Sequence, residues 1–63
     1  MPDLIELFHE RIAIMIVDAG LSQAKAEYEA AMELRRLYGR DNLPMVIREI
    51  GNKAYRKLQG LDD

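Results

Sequence analysis

Cationic side chains are concentrated in the second half of the chain. Residues 35–63 carry seven Lys or Arg and four Asp or Glu, whereas residues 1–34 carry two Lys or Arg and seven Asp or Glu. The formal charges of the two parts are therefore +3 and −5, and they sum to the −2 of the whole chain. Guanidinium and ammonium groups bind phosphates and carboxylates. This asymmetry predicts either a basic binding surface or attraction between the two parts.

The candidate binding surface lies on the third predicted helix and at the end of the second. At about 100° per residue, Arg48, Asn52 and Arg56 share the face opposite the apolar stripe of that helix. Tyr55 lies off the apolar stripe and is expected to be exposed, and together with Met45 it is a candidate contact residue. We expect this surface to bind nucleic acid or an acidic partner. The candidate residues are Arg36, Arg40, Arg48, Asn52, Lys53, Arg56 and Lys57.

Two observations favour an ordinary solvated face over a nucleic-acid surface. The sequence pI is 5.3, which is low for a protein that binds polyphosphate. Lys and Arg near the C-terminal ends of helices are also stabilised by the helix dipole without any ligand.

The residue types that catalysis needs are scarce. His9 is the only imidazole, Ser22 is the only Ser, and both Thr and Cys are absent. Nucleophilic catalysis needs a nucleophile, a base and a group that orients the base, so we expect no enzyme and no catalytic residues. His9 lies between Glu6 and Glu10 on a predicted helix, but a solvated acidic edge explains these residues better than a metal site. We therefore expect no metal and no cofactor.

The most apolar stretch is residues 12–17, Ile-Ala-Ile-Met-Ile-Val. On a helical projection Phe8, Ile12 and Met15 share one line, whereas Val17 falls on the opposite side. A helix that is apolar on nearly every side needs more cover than one chain of 63 residues provides. We therefore predict a homodimer built around this helix. The predicted interface residues are Phe8, Ile12, Ile14, Met15, Ile16 and Val17.

Local signals predict an all-α fold, a small bundle with helices near residues 3–19, 23–38 and 44–59. Asp3 and Ser22 are the expected N-caps, and Pro44 suits the first turn of a helix. Each helix is expected to end at a glycine, because glycine adopts the left-handed conformation at little cost. These glycines are Gly20, Gly39 and Gly60.

The apolar patterns of the second and third helices predict how the helices pack. The second helix carries two alanine-rich stripes, which indicates contact with two neighbours. The stripes are Ala24, Tyr28, Ala31, Tyr38 and Ala26, Ala30, Leu34, Leu37. The narrow stripe of the third helix contains Val46 or Ile47, Ile50, Ala54, Leu58 and Leu61. Gly51 lies within that stripe, and it marks either close helix packing or a kink near Ile50.

Length and composition are typical of one folded domain, residues 1–63. Apolar residues make up 49% and charged residues 32% of the chain. Without Cys, disulfides cannot stabilise so short a chain, which leaves oligomerisation or close helix packing. No stretch approaches the roughly 20 apolar residues that cross a bilayer. The N-terminal Met-Pro-Asp lacks the basic region of a secretory signal, so we expect a cytoplasmic protein without membrane contact.

One segment resembles a known family. Leu37-Tyr-Gly-Arg-Asp-Asn-Leu-Pro44, before Val46-Ile-Arg-Glu-Ile50, loosely resembles the N-terminal dimerisation region of the phage Mor-type middle-gene activators. The likeness covers about residues 20–50. The second glycine and the aromatic residue of that family's turn are missing here, and no clear DNA-binding helix-turn-helix follows.

The combined expectation is a small non-enzymatic protein–protein interaction module. We expect it to act as a regulator, adaptor or inhibitor through a dimeric helical surface, of the type found in phage and mobile elements. The alternative is a small dimeric DNA-binding transcriptional regulator that uses the basic third helix.

Overall fold

The computed structural model describes residues 3–60, and every regular element in that range is helical. Helix α1 spans Leu4–Val17, α2 spans Gln23–Tyr38 and α3 spans Met45–Leu58, with a 3-10 turn at Arg40–Asn42 between α2 and α3. The Cα radius of gyration is 11.2 Å, close to the roughly 11 Å expected of a compact chain of this length. The predicted three-helix all-α fold is confirmed. Leu61, placed in the α3 stripe by the sequence, lies outside the described residues.

The predicted caps form at the helix starts. The Asp3 carboxylate accepts hydrogen bonds from the backbone N–H groups of Ile5 and Glu6, at 3.1 and 3.2 Å. The Ser22 hydroxyl accepts one from the N–H of Lys25 at 3.2 Å. These bonds satisfy backbone donors that have no partner inside the helix.

Two helix ends differ in detail from a simple glycine stop. α1 ends at Val17, two residues before the predicted end, and Gly20 (φ 68°) turns the chain so that the Leu21 N–H reaches the Met15 carbonyl at 3.1 Å. At the end of α2, the Asn42 side-chain amide donates to the Tyr38 carbonyl at 2.6 Å. This bond closes α2 and positions the 3-10 turn at the start of α3.

The central helix is α2. It packs against both α1 and α3, whereas α1 and α3 hardly touch each other. The prediction that α2 has two neighbours is therefore confirmed. Ala26, Ala30 and Leu34 are fully buried, and Leu37, one turn further along the same stripe, is exposed.

Each helix contributes one large, fully buried side chain to the core: Phe8, Leu34 and Ile47. Ile47, not Val46, is the buried residue at the start of the α3 stripe. Gly51 is also buried, and a Cβ added to it would lie 2.8 Å from the Ala31 Cβ, closer than real Cβ contacts. α3 continues through Gly51 without interruption. Gly51 therefore marks close helix packing and not a kink near Ile50.

The molecule is flat, with extents of 35 × 25 × 16 Å. In the part of the chain that the structure describes, no helix is both long enough and apolar enough to span a bilayer.

Candidate binding groove between the second and third helices

The helices α2 and α3 and the 3-10 turn enclose an open groove of about 520 Å³. Three buried residues form its floor: Ala31, Leu43 and Gly51. Larger, more exposed side chains form its walls, namely Tyr28, Met32, Met45, Asn52 and Tyr55. Four charged residues complete the lining: Arg35, Arg40, Arg48 and Glu49.

The groove follows from the small residues at the helix contact. Ala31 and Gly51 let the two backbones approach closely but carry little side chain to fill the space above them. The Tyr28 and Tyr55 rings stand beside that contact, with centroids 5.7 Å apart and planes tilted by 35°. This separation is typical of a favourable aromatic pair. Tyr55 is exposed, as the sequence predicts, and Met45 is exposed as well.

The arginines of the groove have no acidic partner among the described residues. Within residues 3–60 the ion pairs are Arg11–Glu33 and Lys25–Glu29, each 3.3 Å long. Arg35 and Arg40 are exposed and Arg48 is half-buried. Guanidinium groups that border an apolar groove and are not neutralised within it attract an anionic ligand.

The structure brings together part of the predicted basic surface. Arg40, Arg48 and Asn52 line this groove, whereas Lys53 and Arg56 line a shallower neighbouring groove together with Glu49, Asn52 and Tyr55. Arg36 and Lys57 line neither of these two grooves.

Sequence reasoning missed Arg35 as a groove residue. Tyr28, Ala31 and Arg35 are spaced i, i+3 and i+7, which places them on one helix face. This shared face with Ala31 is the sequence signal that could have identified Arg35 as a groove residue. By its position in the sequence, Arg35 belongs to the basic end of α2, where a cation favours the helix dipole.

The predicted interface residues of α1 occupy three environments. Phe8 and Ile12 are buried in the core of the single chain, because that line of α1 faces the central helix. Met15 and Ile16 are half-buried and pack against the same core. Ile14 (44% exposed) and Val17 (80% exposed) are open to solvent. Of the predicted interface residues, only Ile14 and Val17 therefore lie open to solvent in the single chain.

The polar residues of α1 form no clustered site. His9, Glu6 and Glu10 are all exposed, and the His9 ring lies 5.8 Å from the Phe8 ring. Within residues 3–60, no group of three His, Asp or Glu side chains is placed to hold a metal ion.

No protein-family model, curated protein or solved structure matches the chain. No family match therefore supports the likeness of residues 20–50 to the phage activators.

Proposed function

We propose that the protein is a small non-enzymatic interaction module that binds an acidic segment of a protein in the α2–α3 groove. The observation that carries this proposal is the combination of three arginines, unpaired within residues 3–60, with an apolar floor. A matching ligand carries carboxylates on both sides of an apolar side chain.

Each part of the groove has a role in this binding. Carboxylates accept charge-assisted hydrogen bonds from Arg35, Arg40 and Arg48, and such bonds contribute about 1.5–3 kcal/mol each. The apolar side chain of the ligand covers the buried floor between Met32 and Met45. Methionine side chains are flexible and adapt to differently shaped ligands. A volume of about 520 Å³ is in the range of sites that hold small ligands or a few side chains.

Binding of nucleic acid is the second candidate. Arg48, Asn52 and Tyr55 line one groove, and Lys53 and Arg56 extend the same basic side of α3. However, a phosphate backbone brings many charges to a surface that also carries a carboxylate, since Glu49 lies in both grooves and repels phosphates and peptide carboxylates alike. The net charge of −2 opposes binding further. The concave apolar floor suits an aliphatic side chain better than a duplex.

A binding titration separates the two candidates. The probe is a short fluorescent peptide in which Asp and Glu flank two leucines, followed by fluorescence anisotropy at low salt. We expect saturable binding that weakens about tenfold or more in Arg40→Glu/Arg48→Glu, because at least 1.4 kcal/mol of charge pairing is lost. The matched control, Lys53→Glu/Lys57→Glu, changes the net charge equally outside this groove and is expected to bind the peptide within about threefold of wild type.

Three further probes complete the comparison: the peptide with serine in place of its acids, the peptide with serine in place of its leucines, and duplex DNA. Each serine peptide is expected to bind more weakly than the parent peptide. The nucleic-acid candidate would be supported, and this proposal overturned, if the protein bound DNA more tightly than the acidic peptide and if both double variants weakened DNA binding equally. No binding of the acidic peptide by wild-type protein would also overturn it.

A further inference from the structure

We propose that the acidic segment that occupies the groove is helix α1 of a second copy of this chain. Two copies then form a reciprocal dimer in which each lays the outer ridge of its α1 in the α2–α3 groove of the other. This inference rests on the proposed function of the groove and adds the identity of an occupant.

The outer ridge of α1 has the chemistry that the groove requires. It consists of Glu10, Ile14, Val17 and Asp18, and all four are exposed. Glu10, Ile14 and Asp18 are spaced i, i+4 and i+8, so they follow one line along the helix and its first turn beyond the end. Carboxylates therefore flank an exposed isoleucine. Neither Glu10 nor Asp18 takes part in an ion pair within residues 3–60.

The ridge and the groove open on the same broad side of the molecule. Arg11, next to Glu10, reaches across to Glu33 of α2 at 3.3 Å. Met32, the neighbour of Glu33, lines the groove, whereas Leu34 is fully buried and points into the core. The ion pair thus lies on the outer side of the contact between α1 and α2, the side on which the groove opens.

This placement allows a closed dimer with two-fold symmetry. A surface that carries both a ridge and the groove complementary to it pairs with itself, and both contacts then form twice. A standard dimer interface buries about 800 Å² per partner. With extents of 35 × 25 × 16 Å, only the broad faces of the molecule are that large.

The charges support the same pairing. The acids of the ridge belong to the part of the chain with charge −5, and the arginines of the groove to the part with charge +3. Reciprocal docking places these opposite charges together at both contacts. It also covers Ile14 and Val17, which no other residue between 3 and 60 shields from solvent.

Charge reversal tests the dimer by light scattering or sedimentation. Wild-type protein is expected to have about twice the 7.3 kDa mass of the chain. Glu10→Arg/Asp18→Arg and Arg40→Glu/Arg48→Glu are each expected to raise the dimer dissociation constant about tenfold or more, because like charges meet at both contacts. Two charges are reversed on each side so that the result does not depend on which acid meets which arginine.

An equimolar mixture of the two variants is expected to regain the wild-type dissociation constant, because every contact in the mixed dimer joins opposite charges. Lys53→Glu/Lys57→Glu serves as the control and is expected to dimerise like wild type. Circular dichroism of each variant reports that α1 to α3 still fold. An excess of the acidic peptide is expected to convert the dimer to monomers, since it competes for the same groove.

A monomeric wild-type chain that still binds the acidic peptide would overturn this inference and leave the proposed function standing. It would also be overturned if the mixture of the two variants stayed monomeric under conditions in which the wild-type protein is dimeric. Failure of both the peptide and the second copy to bind would overturn the two proposals together.

Discussion

Replacing Phe8 by alanine is expected to lower the free energy of unfolding by about 3–5 kcal/mol. Phe8 is 1% exposed and belongs to the same core cluster as Leu34 and Ile47, so its loss leaves a cavity in the core. A chain of this length has only about 3–9 kcal/mol of stability in total. We therefore expect Phe8→Ala to lose between about a third and all of the stability of the chain, as measured by urea denaturation followed by circular dichroism.

Val17→Ala on the same helix is the matched control. Val17 is 80% exposed in the single chain, and at concentrations low enough to keep the protein monomeric its truncation is expected to change the free energy of unfolding by no more than about 0.5 kcal/mol. Equal losses for the two variants in the monomer would contradict the assignment of Phe8 to the core and Val17 to the surface.

Replacing Gly51 by alanine is expected to destabilise the fold by up to about 2 kcal/mol, although alanine is the better helix former. Alanine gains about 1 kcal/mol of helix propensity over glycine. Against this, its Cβ would lie 2.8 Å from the Ala31 Cβ, and overpacking of this kind costs about 1–3 kcal/mol. α3 must therefore move away from α2, or the chain must absorb the clash.

A double-mutant cycle identifies the cause. Ala31→Gly removes the atom that the new Cβ meets, so Gly51→Ala should cost less in the Ala31→Gly background than in wild type. Asn52→Ala, at the neighbouring exposed position of α3, should raise stability by a few tenths of a kcal/mol from propensity alone. A stabilised Gly51→Ala variant would show that α2 and α3 do not approach as closely as the structure shows.

Local signals were sufficient to predict the helices from the sequence. Capping by Asp3 and Ser22 and the turns at Gly20 and Gly39 depend on neighbouring residues, and their positions are confirmed to within two residues. The choice of central helix was less predictable. The apolarity of residues 12–17 predicts that α1 is the central helix. Instead, the small alanine side chains of α2 allow both other helices to pack against it.

Part of the candidate site follows from the sequence, and the rest depends on how the helices pair. The helical spacing of Arg48, Asn52 and Tyr55 places them on neighbouring positions of α3. That they face Tyr28, Met32 and Arg35 depends on the register set by Ala31 against Gly51, a contact twenty residues apart in the chain. Periodicity within one helix does not report such a register, so the groove and the role of Arg35 emerge only from the fold.

The most direct measurement of the central claim is a ¹⁵N NMR titration of the protein with the acidic peptide. We expect the largest amide shifts at groove residues, above all Met32, Gly51, Asn52 and Tyr55, and small shifts at Lys57 and His9. At a peptide concentration near the wild-type dissociation constant, Arg40→Glu/Arg48→Glu is expected to lose most of those shifts, because it binds about tenfold or more weakly, while its spectrum stays that of a folded protein. Shifts that avoid the groove, or that persist in this variant, would contradict the claim that the α2–α3 groove is the binding site.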